Sequence, residues 1–341
     1  MLILAIETSC DETAAAVVRD GREILSSVVS SQIAIHAAYG GVVPEIASRK
    51  HLEMISPVIS QALREAGTAL SEIEGVVVTR GPGLSGALLV GFSVARAVAF
   101  ACGIPYVGVH HIEGHIFASF LEQPVDFPFL ALVVSGGHTH LYHVEGFGRY
   151  TTLGRTIDDA AGEAFDKSGK VMGLEYPAGA RIDALARGGN AAAVHLPRPM
   201  IHDGTLKFSF SGLKTALMQH VAKHPVVIPG QEASDLCASF QQAVCDVLEA
   251  KTRAALELSG ATRLMVAGGV ACNSGVRSTM ARLARELDIE LHIPRPSLCG
   301  DNAAMLAVAG NYYLEQGLAS APGLDVTANW EMDRIKEIFC E

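Results

Sequence analysis

The apolar positions of the chain change their spacing repeatedly, and each change predicts an element. LILAIETS (2–9), AAAVVRD (14–20) and REILSSVVS (22–30) are short aliphatic runs that predict three strands, with the hairpin dipeptide Asp20-Gly21 joining the last two. Over roughly 45–66 the spacing lengthens to three and four, which predicts a helix with Ile46, Leu52, Ile55, Ile59 and Leu63 along its buried side. GVVVTRGPGLSGALLVG (75–91) reads as a buried strand, a glycine-rich turn and a second helix, and PYVGVHH (105–111) as another strand.

The same order returns after residue 128. FLALVVSGG (129–137) and HTHLYHVEG (138–146) predict strand, glycine bend and strand. A helix at about 234–259 with Phe240, Val244, Val247 and Leu248 precedes RLMVAGGVACNSGV (263–276), another strand with a glycine turn. A helix carrying Val276, Met280, Leu283, Ala284 and Leu287 then leads to the strand ELHIP and to SLCGDNAAMLAVAG (297–310). Two copies of one β-rich α/β unit are implied, with a first lobe at 1–126, a second at 127–325 holding a helical insertion at about 150–232, and a tail at 326–341. Strand-end glycine turns in both copies are expected to face a shared cleft, where exposed N–H groups suit phosphate or carboxylate; glycine is also the default in any tight bend.

At 341 residues the chain exceeds one core, and with 49% apolar and 18% charged residues it is not a disordered chain. A net charge of −10 argues against coating nucleic acid through bulk positive charge, while leaving room for a local basic groove. Seven cysteines (Cys10, Cys102, Cys237, Cys245, Cys272, Cys299, Cys340) include no C-x-x-C pair, which reads as reduced thiols in a cytosolic protein. The N-terminus lacks a basic n-region and is interrupted by Glu7, so it does not read as a signal peptide. LSGALLVGFSVARAVAFACG approaches membrane length but carries Arg96, and is expected to be a helix covered on most sides by protein in a cytoplasmic chain that makes no use of a membrane.

The densest chemistry lies in VHHIEGHIFASF (109–120). On a helix His111 and His115 stand one turn apart on one face, a spacing at which two imidazoles can share an ion; hydrogen-bonded edge histidines are the alternative. A zinc-peptidase helix would need its glutamate directly after the first histidine, whereas Glu113 is two places on, about 200° around the helix. His111 and Asp301 each follow the last strand of their own copy, so convergence from opposite lobes would supply a third ligand.

IETSCDET, YGGVVPEIASRKH, GPGLSGALLVG, HHIEGH, VSGGHTHL, DDAAGEAFDK, FSFSGLKT, AGGVACN and CGDNAAM occur in this order from residue 6 to about 310. Together they resemble the tRNA N(6)-adenosine threonylcarbamoyltransferase family (bacterial TsaD type), formerly called O-sialoglycoprotein endopeptidases. The resemblance implies an α/β, duplicated actin-like and sugar-kinase-like (ASKHA) two-lobed fold with an interlobe nucleotide cleft. It implies that His111, His115 and Asp301 bind one divalent metal ion per subunit, iron(II) before zinc. It implies transfer of the threonylcarbamoyl group of threonylcarbamoyl-AMP to the exocyclic amine of adenosine-37 in tRNAs reading ANN codons. Val133, Val134, Ser135, Gly136 and Gly137 would hold the phosphate end of the adenylate, Asp166 and Asp183 the ribose hydroxyls, Gly179 would admit the nucleoside, and Asn273 would reach adenine or ribose. Implied partners are tRNA, a noncatalytic paralogue subunit (TsaB-like) and a small ATPase (TsaE-like).

Asp11 and Glu12, in the turn after the first strand, are candidate catalytic residues: Asp11 to assist proton removal from the attacking amine and Glu12 to support it, with solvated hairpin charges as the alternative. His138, His140 and Tyr142 alternate onto one strand face and read as polar lining rather than a second metal site. Lys207 and Lys214, beside Phe208 and Phe210, read either as RNA contacts or as a packing segment with solvated lysines. An actin-like ATPase or small-molecule kinase is the competing function, and a metallopeptidase a weaker one.

Overall fold

The computed structural model describes residues 1–339, with side chains through Ile335, so Cys340 lies outside the described residues. The chain divides into two compact units, one of residues 1–126, 145–150 and 300 onward, the other of residues 127–144 and 151–299.

The first unit runs β1 (Leu2–Glu7), β2 (Glu12–Arg19), β3 (Glu23–Ser31), α1 (Ile33–Ala37), α2 (Pro44–Ala66), β4 (Gly75–Gly81), α3 (Ser85–Cys102), β5 (Tyr106–His110) and α4 (His111–Phe117). Its sheet has the order β3-β2-β1-β4-β5, antiparallel from β1 to β3 and parallel from β1 to β5. The central place of β1 explains its unbroken apolar run, because both of its faces are covered.

In the second stretch come β6 (Phe129–Val134), β7 (Thr139–Gly146), β8 (Arg149–Arg155), α5 (Ala161–Val171), α6 (Gly179–Ala186), α7 (Ser211–Lys223) and α8 (Gln231–Ser259). They are followed by β9 (Arg263–Ala267), α9 (Ser274–Leu287), β10 (Glu290–His292), α10 (Pro296–Cys299) and α11 (Ala304–Glu315). The sheet order is β10-β9-β6-β7-β8. Renaming β6 to β10 as β1 to β5 reproduces the first sheet read from its other edge, so the duplication is present in the topology.

Three expectations need correction. The buried side of α2 is Ala47, His51, Ile55, Val58, Ile59 and Ala62, whereas Leu52 is 66% exposed. His51 takes the inward position because its ring is satisfied there: Nδ1 lies 2.8 Å from Thr13 Oγ1 and Nε2 lies 3.0 Å from the Cys10 carbonyl oxygen. Helix α3 is not covered on most sides. It is long and apolar enough to cross a membrane by length and composition, with 39% of it buried against the chain, and Phe100 and Leu89 are exposed. Its inner side packs on α2 and β4, and Arg96 Nη2 donates to the Pro322 carbonyl at 2.5 Å.

The third correction concerns residues 300–325, expected in the second lobe. They belong to the first unit because α11 packs on β1, β4, β5 and α4. Gly310 permits the approach: a Cβ there would fall 2.3 Å from Val77 Cγ2 on β4. Asp301 therefore reaches the histidines from the same unit, not from the opposite one.

The revised face of α2 is directly testable. Ile55→Ala should cost ~2–5 kcal/mol by chemical denaturation, while Leu52→Ala should change stability by under ~0.5 kcal/mol. Equal costs would restore the original assignment.

Candidate metal centre and active-site residues

Strand β5 ends at His110, whose Nδ1 accepts the Ile112 N–H and caps the seven-residue α4. Beginning the helix there places His111 and His115 one turn apart, with ring centroids 4.7 Å apart and planes at 82°. Asp301 lies just before α11, with its Oδ1 3.1 Å from His115 Nε2 and 3.8 Å from His111 Nε2. The three ligand atoms all lie within 4.8 Å of one another, a group able to hold a metal ion. The donor set fits: ligands at roughly 2.1 Å around a tetrahedral ion stand about 3.4 Å apart, a spacing bracketed by the two measured distances. Two imidazoles and one carboxylate leave positions for substrate, as a catalytic rather than a closed structural site requires. Among the described residues His115 Nδ1 is buried without a hydrogen-bond partner, and the polar contact of this ring is on the Asp301 side.

Behind His111 stands a carboxylate that sequence reasoning did not single out. Glu7 Oε2 lies 3.1 Å from His111 Nδ1, and Ser9 Oγ is also 3.1 Å from that nitrogen. Burial works against the His111 charge, but Asp301 and Glu7 outweigh it and push the imidazolium up to about 9. Burial likewise opposes the Glu7 charge, yet the His111 charge and hydrogen bond hold its carboxyl below the usual range. The one signal available was an acidic residue ending an otherwise apolar strand.

Glu113 points elsewhere, as its angular offset predicts. Its Oε1 accepts hydrogen bonds from the Tyr150 hydroxyl and, at 2.5 Å, from the Tyr313 hydroxyl, and burial pushes its carboxyl up to about 7. These bonds link α4 to the hairpin tip at 145–150 and to α11. Neither tyrosine was recognisable from spacing.

Asp11 lies in the turn between β1 and β2, and Glu12 opens β2, where its Oε1 accepts the Ser31 hydroxyl at 2.9 Å. Burial, then the Asp11 and Asp301 charges and a hydrogen bond with Asp11, push the Glu12 carboxyl up to about 9. The turn is pinned by His51 through the Cys10 carbonyl, a role that the sequence did not signal.

In the second unit the structure places the other candidates as follows. Val133 and Val134 are the last, wholly buried residues of β6, and only Ser135, Gly136 and Gly137 leave the sheet. Asp166 Oδ1 accepts the Ala178 N–H at 2.8 Å, immediately before Gly179 at the start of α6. Asp183 Oδ1 accepts the Ser274 hydroxyl at 2.6 Å and its N–H at 3.1 Å, and Oδ2 accepts from Arg187. Asn273 caps α9, its Oδ1 accepting the Val276 N–H while Nδ2 donates to Gln241 Oε1. Asp183 and Asn273 thus meet at the start of α9. Each also has an internal structural task.

His138, His140 and Tyr142 do share one strand face, with His140 stacked on Tyr142, and burial followed by the Arg155 charge pushes the His140 ring down to about 4. Phe208 and Phe210 are fully buried and unavailable for RNA; Lys214 pairs with Asp159 at 3.3 Å, and Lys207 is exposed.

The family model for tRNA N6-adenosine threonylcarbamoyltransferase matches residues 23–308. The chain is similar to proteins of that description from Pelobacter propionicus (75% identical over 337 residues, 99% of both chains) and Trichlorobacter lovleyi (68% over 335 residues, 98% of both). A third, from Geobacter metallireducens, is 64% identical over 336 residues, again 98% of both. Among solved structures it resembles the activator of the 2-hydroxyisocaproyl-CoA dehydratase from Clostridium difficile (TM-score 0.56, 14% identity, 93% of this chain and 97% of that one). It also resembles full-length HypF (TM-score 0.57, 13% identity, 92% and 46%). These two likenesses show the fold, an actin-like, sugar-kinase-like one, as the two sheets indicate.

Two measurements follow. Tyr313→Phe removes one donor from buried Glu113 and should cost ~1–3 kcal/mol in denaturation; no loss would deny the bond a structural role. A carboxyl raised in the folded state contributes stability that is present below its ordinary value of 4.5 and lost as pH rises toward about 9. Glu12→Gln should therefore melt above the parent chain near pH 8, with the gap closing toward pH 4.5. A gap that ignores pH would show that Glu12 ionises normally.

Proposed function

We propose a residue-level reading for this chain, which belongs to the tRNA N6-adenosine threonylcarbamoyltransferase family: it moves the threonylcarbamoyl group of threonylcarbamoyl-AMP to the exocyclic amine of adenosine-37 in tRNAs reading ANN codons. Threonylcarbamoyl transfer to a tRNA adenosine is the activity the family carries, and the competing ATPase or kinase reading is not favoured by any of the three relatives. The observation that supports the reading best is the approach of His111, His115 and Asp301 to one point, although Asp301 is 186 residues beyond His115. A metallopeptidase finds no support, since the Glu113 carboxyl is bound to Tyr150 and Tyr313.

The donor is a mixed anhydride, so its carbamoyl carbon is already activated and AMP is a good leaving group. The amine is the weak partner, because its lone pair is delocalised into the purine. In the reaction a C–N bond forms to the carbamoyl carbon, the bond from that carbon to the phosphate oxygen breaks, and the amine gives up one proton. Catalysis then consists mainly of positioning and of stabilising charge. Asp11 assists proton removal from the attacking amine, and Glu12, its carboxyl raised by burial and the neighbouring acids, supports it. The N–H groups of Gly136 and Gly137 hold the phosphate end, Ser135 fixes their turn through its own N–H bond to the His138 carbonyl, and Val133 and Val134 set the height of that turn from within the sheet. Asp166, Gly179, Asp183 and Asn273 receive the nucleoside. His111, His115 and Asp301 would hold the ion, iron(II) first and zinc second, and a bound ion would supply Lewis acidity toward a carbonyl or phosphate oxygen.

The reading includes a TsaB-like paralogue subunit and a TsaE-like small ATPase as helpers, and a cytoplasmic location. Incubation with threonylcarbamoyl-AMP, both helpers and unmodified tRNA should yield threonylcarbamoyladenosine by nucleoside mass analysis. Asp11→Ala should lower kcat by roughly 10²–10⁴-fold with tRNA binding kept. Full activity of that variant on preformed adenylate would remove Asp11 from proton transfer, and absence of product from the parent chain would sink the assignment.

A further inference from the structure

Glu7 occupies an unusual place for a carboxylate. It is the last residue of the central strand β1, has 0% exposure, and is enclosed by elements of its own unit. Its two oxygens are used as acceptors throughout. Oε1 accepts the Ser9 N–H at 2.5 Å, and Oε2 accepts the hydroxyl of Thr79 on β4 at 2.5 Å. The remaining close neighbour of Oε2 is His111 Nδ1 at 3.1 Å.

We propose that Glu7 is a positioning residue of the metal centre: its buried carboxylate keeps the proton of His111 on Nδ1, so that Nε2 presents a lone pair toward His115 and Asp301. This rests on the reading of those three residues as metal ligands. An ionised carboxylate has no proton to give, so the His111 nitrogen facing it must be the donor. A neutral imidazole with its proton on Nδ1 has its one lone pair on Nε2, the nitrogen that lies 3.8 Å from Asp301 Oδ1. A ligating imidazole tied through its second nitrogen to a carboxylate is both oriented and made more basic. Thr79 and Ser9 fix the carboxylate in turn, so the chain of contacts runs from the sheet interior through Glu7 to the ligand face of His111. A buried charge with three donors is costly to assemble for packing alone, since an apolar side chain would fill a strand end at lower cost.

The test uses the full chain and cobalt(II), with affinity measured by competition against a chelating indicator at fixed pH and coordination read from the visible absorption of the bound ion. Glu7→Gln keeps the shape and can still accept from Thr79 or Ser9. However, its amide can donate to Nδ1 and so favour the proton on Nε2, the wrong nitrogen. Cobalt affinity should fall by roughly 10–100-fold, with the metal-free melting temperature close to that of the parent. Should Glu7→Gln not fold, Glu7→Asp keeps the charge but withdraws it by one methylene and should show the same separation of affinity from stability. His115→Ala calibrates the site and should abolish binding. Cobalt binding by Glu7→Gln within twofold of the parent, with His115→Ala inactive in binding, would overturn the role of Glu7 alone. Equal binding by the parent and His115→Ala would overturn the metal reading itself, and this inference with it.

Discussion

Two carboxylates, buried Glu7 and partly exposed Asp301, flank the one buried imidazole of His111, and three segments of the first unit meet to make that arrangement. Like charges in low dielectric cannot both persist without a cation between them. The pull of the two acids on His111 is strong enough to outweigh the burial that would otherwise suppress its charge. A divalent ion, were His111, His115 and Asp301 to hold one, would answer the same electrostatic demand as an imidazolium proton.

Holding that pocket requires three distant segments to meet. Strand β1 brings Glu7, helix α4 brings both histidines, and the turn before α11 brings Asp301. Gly310 lets α11 press against Val77, and Tyr313 on the same helix bonds to Glu113, which lies between the two histidines in sequence. One helix therefore fixes Asp301 from its N-terminal side and braces α4 from its interior. Glu113 serves this purpose because it points away from the His111, His115 and Asp301 group, the same angular fact that removes it as a peptidase base.

Much of this was legible in the sequence, and the reasons for success and failure are physical. Strand and helix periods survive in the apolar residues, so both sheets and their duplicated order could be read, and a separation of four placed His111 and His115 together. Leu52 was misplaced because periodicity weighs only hydrophobicity; His51 is inside because Thr13 and the Cys10 carbonyl satisfy its ring, and those partners belong to other elements. Asp301 was expected beside the two histidines, where it lies, but it arrives from their own unit rather than from the other. Its place in sequence follows the second sheet, while the packing of α11 is decided by a glycine-to-valine contact that no local pattern records. Glu7, Tyr150 and Tyr313 became visible only through tertiary contacts.

The glycine turn of the second unit carries a different kind of argument. Gly136 and Gly137 do not have left-handed φ values, and a Cβ at either would meet nothing within 4 Å. Neither backbone conformation nor internal packing therefore requires glycine there. Close by, Gly162 is required by packing, since its Cβ would fall 2.6 Å from the Ser135 carbonyl, where the Gly162 N–H already donates at 3.1 Å. The Ser135 N–H is itself bonded to the His138 carbonyl at 2.8 Å. The turn is thus fixed from behind by α5 and from within by its own hydrogen bond, while Gly136 and Gly137 are exposed. Bare backbone in such a turn is what the proposed phosphate contact asks of it, and its glycines have no internal task that competes with that use.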